Sequence, residues 1–491
     1  MGHLTIIGLG PGSPKDLTRE AWEVLSQLDE VWLRTTHHPV VRSLPAGLDV
    51  RSFDHLYEAA ETFEDVYVQI TAQILSLAAR AQGVTYAVPG HPLMGESTVT
   101  RILSATMDRD LPIRIVAGLS FLEPSLTALA YDALDGLQII DALEMLALHH
   151  PPLNSDFPAL IGQVYSRAIA SELKLVLMNQ YPDTHETVLI DAAGTPAQTV
   201  RRLPLYEIDR HPVSPLTSLY IAPYLPPAYA DCSAPVYGSF QGFQNTIAQL
   251  RAPDGCPWDR KQTHASLRPN LLEETYEVLA AIDEDDTDAL REELGDLLLQ
   301  VVLQTQIAIE SGEFDMAEVI AGIDAKLKHR HPHVWGQVEV DGAETVTKNW
   351  EALKREERVA NGKAKRSALD SIPTALPALA QAMAYIGRAA RVGGGLKSIT
   401  EVETYVENTL AAWKAAESQR EQHRAIGELL LALVAWAQWR EVDPESALRE
   451  ANLRFVRHFR QLESLARERG VSIADLAPEK RAQLWARTME L

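Results

Sequence analysis

Four carboxylates pose the first chemical question. Glu274 and Glu277 stand three residues apart in LLEETYEVLAA, and Glu293 and Asp296 repeat that spacing in REELGDLLLQVVL. On a helix such pairs lie roughly 60° apart on one face, so two antiparallel helices joined by the acidic loop between them bring all four together. A solvated acidic face is the ordinary reading of a Glu-rich helix. The surroundings argue otherwise: Asp296 opens LLLQVVL, which is apolar around most of its circumference, and Glu274 flanks a stripe of Leu271, Val278 and Ile282. Helices of that kind are expected to be buried. Two carboxylates about 4 Å apart repel by roughly 4 kcal/mol at an effective dielectric of 20, so a cation is needed between them. Oxygen ligands without His or Cys favour a hard ion, magnesium or manganese.

The bulk properties point the same way. The chain has 491 residues, too many for one core, and 46% of them are hydrophobic. Its 67 acidic and 45 basic side chains leave a formal charge of -22, which repels nucleic-acid backbones and anionic lipid. A polyphosphate is repelled as well unless a metal ion or a local cluster of Lys and Arg intervenes. Cys232 and Cys256 are too few for a disulfide framework. The start, MGHLTIIGLGPG, lacks the charged and apolar regions of a signal peptide, and LLLQVVLQTQIAI is too short to span a bilayer. A soluble cytoplasmic protein is expected.

These residues must be held by a particular order of elements. LTIIG at Leu4 reads as a buried strand, followed by a Gly and Pro loop and a helix from near Leu17. Further strands are predicted at VTYAVPG, IRIVAG, LKLVLMNQ, TVLIDAAG and LTSLYIAP, giving an α/β domain over residues 1–224. A Pro, Ala and Ser-rich stretch, 225–239, reads as a linker. Beyond Phe240 the pattern is all helical. It divides into a module over 240–358, a second linker over 359–377, and another module over 378–491. The two modules are copies, since ELGDLLLQVVLQTQIA from Glu293 matches AIGELLLALVAWAQWR from Ala425.

EETYE followed by ELGD resembles the EExxE and ExxD signature of the MazG nucleotide pyrophosphohydrolases. The resemblance extends to GCPWDRKQTH at Gly255, KLKHRHPHVWG at Lys326, NWEALKREE at Asn349 and SALDSIP at Ser367. It implies an all-α, metal-dependent domain that dimerises or forms a higher homo-oligomer and cleaves nucleoside triphosphates between the α and β phosphates. Glu274, Glu277, Glu293 and Asp296 would hold the metal. Glu273 or Glu274 would orient the attacking water, and the sequence does not choose between them. Lys326 and Arg330, four apart on one helical face, would contact phosphates by resemblance; a solvated basic helix end is the plain alternative. Trp350, with Lys354 after it, is a candidate for a base or ribose contact and equally for a core residue. The alternating His329, His331 and His333 suit a helix exit better than a zinc site, and Cys256 reads as a packed thiol.

The second copy departs from the pattern. Asn408, Thr409 and Ala412 stand opposite Glu273, Glu274 and Glu277, and Ala425 stands opposite Glu293. Only Glu428 stays acidic, opposite Asp296, while Arg454 and His458 replace Lys326 and Arg330. One carboxylate does not hold magnesium as four do, so this copy is expected to be catalytically dead and to serve packing or oligomerisation.

The N-terminal region resembles the tetrapyrrole methylases through GLGPGSPKDLT at Gly8, PGHPLMGESTV at Pro89, AGLSF at Ala117 and LTSLYI at Leu216. That family binds S-adenosylmethionine between two α/β lobes, here at loops containing Gly8, Gly10, Pro89, Gly90, His91 and Gly118. Absent side chains let backbone approach a ligand. His91 stands where the family's Gly-Asp-Pro motif has its Asp, which puts affinity or catalysis in question. His37 and His38 read as loop residues. Three functions compete: a pyrophosphohydrolase that cleans the nucleotide pool, a methyltransferase, and a ligand-binding module that regulates the hydrolase.

Overall fold

A computed structural model of the chain describes residues 2–60, 62–107, 110–230, 232, 234–360, 367–370 and 372–489. They belong to two compact units, Met1–Lys261 and Gln262–Leu491. In the first lobe of the first unit, β1 (Leu4–Gly8), β2 (Glu30–Leu33), β3 (Asp49–Ser52), β4 (Val84–Val88) and β5 (Ile113–Val116) form a parallel sheet ordered β3-β2-β4-β1-β5. The connecting helices are α1 (Arg19–Leu25), α2 (Asp54–Ala59), α3 (Phe63–Ala78) and α4 (Ser97–Thr106). Every residue of β1 and β4 is buried, as a central parallel strand covered on both faces requires. Alternate residues feed opposite cores: Leu4, Ile6 and Tyr86 pack with Ile70 and Ile74 of α3, while Ile7 and Ala87 pack with Ala21 and Leu25 of α1.

The second lobe begins with α5 (Leu122–Leu129) and continues through β6 (Gln138–Asp141), α6 (Ala142–Leu146), β7 (Ala159–Gly162), α7 (Arg167–Leu177), β8 (Glu186–Asp191), β9 (Thr199–Pro204) and β10 (Thr217–Ile221). Its sheet runs β6-β7-β10-β8-β9, parallel between β6 and β7 and antiparallel elsewhere. The strands predicted at Leu4, VTYAVPG, IRIVAG, TVLIDAAG and LTSLYIAP are present. LKLVLMNQ is not a strand. Its apolar residues belong to α7, capped by the Ser166 side chain, which buries Ile169, Ala170, Leu173 and Leu177 at helical spacing.

No strand follows Ile221 among the described residues. α8 (Phe240–Arg251) belongs to the first unit, where the Asp156 carboxylate accepts from the backbone of Gly238 at 2.7 Å and Ser239 at 3.1 Å and fastens its start. The unit boundary therefore falls at Lys261, beyond the 225–239 stretch. The second unit contains α9 (Arg268–Asp283), α10 (Thr287–Ser311), α11 (Met316–Arg330), α12 (Pro332–Trp335) and α13 (Ala343–Ala360). The other copy follows as α14 (Ala378–Arg391), α15 (Ile399–Ala415), α16 (Gln419–Trp439), α17 (Pro444–Arg467) and α18 (Pro478–Met489). Of the second linker, residues 361–366 and 371 lie outside the described residues. Arg449 of α17 pairs with Asp283 at the end of α9 at 2.7 Å, tying one copy to the other. No helix is long and apolar enough to cross a membrane among the described residues.

The second helix of each pair starts at the same point of the repeat. α10 is capped by Asp286 and α16 by Ser418, which forms a capping box with Glu421. Glu293 and Ala425 each lie seven residues past their cap (293 − 286 and 425 − 418).

Candidate functional site

Glu274 and Glu277 on α9 and Glu293 on α10 each turn a carboxylate oxygen to a common point, all within 4.8 Å of one another. Burial raises the Glu274 carboxyl above its ordinary range, and Asp296 and Glu277 raise it further, with Glu273 adding to them. Glu293 rises in the same way, by burial and then by Glu277 and Asp296. The charged neighbours that raise both groups are carboxylates. An all-oxygen set suits a hard divalent ion, whose oxygen ligands lie at about 2.1 Å from magnesium and so at most about 4.2 Å apart.

The cage is less buried than the apolar pattern suggested. Glu277 is exposed and Glu274, Glu293 and Asp296 are half-buried. The expected stripe leaves Leu271 and Ile282 exposed, and α10 buries Val302 and Leu303 while leaving Leu294, Leu298 and Val301 open. The helix pair packs along one side and presents an apolar strip to its surroundings.

The basic candidates gather on α11 and α13. The Arg330 guanidinium donates to Glu357 at 2.6 Å and lies 5.4 Å from the centre of the Trp350 ring. The Lys354 ammonium lies 4.3 Å from that ring. Two cations therefore lie within reach of the Trp350 ring. Arg330 holds the Glu357 carboxyl below its ordinary range, with lesser contributions from His329 and Lys326. His331 caps the end of α11, its Nδ1 2.7 Å from the Leu327 carbonyl oxygen. The histidine run is a helix exit.

In the first unit the glycine loops meet each other. Gly10 and Gly90, both at positive φ (+74° and +67°), exchange two backbone hydrogen bonds of 3.2 and 2.8 Å. A Cβ on Gly118 would lie 2.4 Å from the Gly90 carbonyl oxygen, and one on Gly8 would lie 2.6 Å from the same atom. These two glycines are required by loop against loop. At Gly90 a Cβ would meet open space, which leaves backbone accessible to a ligand there. His91, after Pro89 and Gly90, accepts the Leu93 N–H at its Nδ1 at 3.0 Å, the turn-closing bond that an Asp carboxylate would make.

Sequence reasoning missed a buried pair beside these loops. Arg34, the residue after β2, bonds Glu96 at 2.6 Å and the Tyr57 hydroxyl at 3.0 Å. The Glu96 side chain is only 2% exposed and also accepts from Thr98 at 2.8 Å. Burial works against the charged guanidinium, yet Glu96 and Tyr57 keep its pKa above the ordinary value. His38, expected to be an ordinary loop residue, is 6% exposed. Burial pulls its imidazole down to about 4, the Gly10 backbone opposes this, and the Arg34 charge adds to it. The short strand β2 gave no clear signal, so nothing marked its end.

In the second copy the corresponding positions surround a hollow. Tyr405 donates its hydroxyl to the one remaining carboxylate, Glu428, at 3.2 Å.

Comparison with known proteins gives two matches along the chain. Residues 3–209 match the Tetrapyrrole (Corrin/Porphyrin) Methylases, and residues 262–335 match the MazG nucleotide pyrophosphohydrolase domain. The chain is 38% identical over 495 residues to the uncharacterized protein YabN of Bacillus subtilis, covering 100% of this chain and 99% of that one. It is 41% identical over 246 residues to the nucleoside triphosphate pyrophosphohydrolase/pyrophosphatase MazG of Thermotoga maritima, covering 50% of this chain and 94% of the relative. The nucleoside triphosphate pyrophosphohydrolase of Escherichia coli K12 is 42% identical over 247 residues, 49% of this chain and 93% of its own. The chain belongs to the MazG nucleotide pyrophosphohydrolase family, with a tetrapyrrole methylase domain joined to the N-terminal side of its helical modules.

Proposed function

We propose that the first helical copy hydrolyses nucleoside triphosphates to the monophosphate and pyrophosphate, clearing unwanted nucleotides from the pool. Magnesium, with manganese as the alternative, is held by Glu274, Glu277, Glu293 and Asp296. The supporting observation is the convergence of three carboxylate oxygens within 4.8 Å, on groups whose neighbouring side-chain charges are negative. When bound, the ion supplies a more acidic water and neutralises phosphate charge. Glu274, or Glu273 beside it, accepts a hydrogen bond from the attacking water and orients it in line with the α phosphorus. Lys326 meets charge on the pyrophosphate end, and Arg330 is oriented for the same task by its two-point contact with Glu357. Lys354 and Trp350 form a cationic, aromatic wall suited to the base or ribose. The open residues Leu294, Leu298 and Val301 support association of copies into a homodimer or larger oligomer. A panel of nucleoside triphosphates with magnesium tests the reading, and monophosphate plus pyrophosphate is the expected product pair. Diphosphate plus orthophosphate would overturn it.

The N-terminal domain is read as a site for S-adenosylmethionine, a methyl donor, at Gly8, Gly10, Pro89, Gly90, His91 and Gly118. The open backbone at Gly90 favours this reading. Methyl transfer to a tetrapyrrole-type acceptor is one outcome. Control of hydrolysis by a ligand that is not methylated is the other.

A further inference from the structure

The basic end of α11 surrounds one carboxylate from α13. Arg330 donates to Glu357 from Nε at 3.2 Å and from Nη2 at 2.6 Å. The His329 Nε2 lies 3.7 Å from the same carboxylate. Arg330 foremost, then His329 and Lys326, hold the Glu357 carboxyl below its ordinary range, although burial works the other way. The Arg330 and Glu357 side chains are 14% and 21% exposed, so water screens them only in part.

This contact fixes the guanidinium on two sides. Glu357 takes the edge made by Nε and Nη2, and the Trp350 ring lies 5.4 Å from the central carbon. The other edge, Nη1 with the second hydrogen of Nη2, is the one that can meet two oxygens of a phosphate side by side. A lysine in the same place has no such fork and could not be aimed in this way.

The same carboxylate also opposes what Arg330 binds. Lys326, Arg330 and Lys354 bring positive charge to this region, and Glu357 sets a negative charge at hydrogen-bond distance from one of them. A phosphate on the free edge of Arg330 therefore feels repulsion from Glu357 as well as attraction. That matters for turnover, because pyrophosphate keeps the charged end of the substrate and must leave before the next cycle.

We infer that Glu357 sets the grip on the pyrophosphate end: its hydrogen bonds aim Arg330 at the phosphates, and its charge loosens their hold so that the product departs. Glu357 is a positioning residue, since Arg330 makes the contact. The inference rests on reading α11 as the phosphate-binding helix of a pyrophosphohydrolase.

The test is calorimetric titration of the full-length chain with inorganic pyrophosphate in magnesium. Glu357→Gln keeps an oxygen that accepts from Arg330 and loses the charge, so it binds pyrophosphate about fivefold more tightly than the parent. Glu357→Ala loses the aim as well and binds at least about fivefold more weakly than Glu357→Gln. Glu356→Gln, the same change of charge at the exposed residue next to it, stays within about twofold of the parent. In a hydrolysis assay, added pyrophosphate inhibits Glu357→Gln about fivefold more strongly than the parent. A purely structural ion pair would lower the thermal midpoint and leave Glu357→Gln no tighter than the parent, which overturns the inference; so does a Glu357→Gln chain that fails to fold. Equal affinities of the Gln and Ala variants at 357, an equal gain from Glu356→Gln, or no binding by the parent at millimolar pyrophosphate would overturn it too. Because the titration needs no turnover, a chain that hydrolyses no nucleoside triphosphate sinks the proposed reaction while the order of pyrophosphate affinities is still read on its own.

Discussion

Replacing Glu274 by Gln should make the chain more stable without metal and less stable with it. Two carboxylate charges 4.8 Å apart, the limit of the Glu274, Glu277 and Glu293 cluster, repel by about 1 kcal/mol in water and about 3.5 kcal/mol at an effective dielectric of 20. Glu274 is half-buried and solvent screens the interaction in part, so the effect lies toward the lower figure. Removing its charge relieves repulsion from Glu277 and from Asp296. The gain in EDTA is on the order of 1 kcal/mol, about 2–4 °C in the midpoint of a helical unit of this size. Magnesium at a hundred times its dissociation constant stabilises the parent by about 2.7 kcal/mol, and the variant loses most of that together with pyrophosphate release. Differential scanning calorimetry in EDTA and in magnesium should show the order of the two midpoints reverse. The sign with pH is also fixed. Because Glu274 and Glu293 have raised pKa values when folded, the apo parent loses stability as pH rises above the ordinary 4.5, and the variant loses less. A variant destabilised in EDTA would refute the reasoning, since Glu274 would then be a structural group and not one of a set of repelling charges.

Two further outcomes concern the first unit. The His38 imidazole is pulled from 6.5 down to about 4, so the unfolded chain binds the extra proton and stability falls as pH drops from 6.5 towards 4. Between pH 7.5 and pH 5 this amounts to about 2 kcal/mol in urea unfolding; His38→Gln should remove that slope, and an unchanged slope would count against it. Arg34→Met strands the Glu96 carboxylate at 2% exposure and should cost about 3–5 kcal/mol. Adding Glu96→Leu should restore most of the loss in denaturant midpoints, whereas additive costs would show that the pair is not coupled.

The carboxylate cage was legible because its signal is local. Two helical spacings and one loop bring Glu274, Glu277 and Glu293 together whatever else the chain does. The degree of burial was not legible, because an apolar run such as LLLQVVL records which residues seek cover without saying what covers them, and Leu294, Leu298 and Val301 stay open in the single chain. LKLVL misled for a related reason: a dense apolar run fits a buried strand and a helix alike, and the Ser166 cap decides the matter. The Arg34–Glu96 pair was hidden because its partners are 62 residues apart and meet only once β2 and β4 lie side by side. The interlocking of Gly8, Gly90 and Gly118 is likewise a fact of three loops at once. Each glycine alone reads only as a turn.

The kinship of a charged helix pair with a discharged one bears on how the family can evolve. α9 and α10 carry like charges that repel one another, while α16 keeps its cap at the same offset as α10 without that load. The Arg449–Asp283 ion pair joins the copy without that load to the one that bears it. In a chain with one copy, each added acid that tightens the grip on metal moves the whole domain nearer its unfolding threshold. Here the acidic charge is confined to one of two joined copies, so such a change bears on one helix pair and leaves the other as it was.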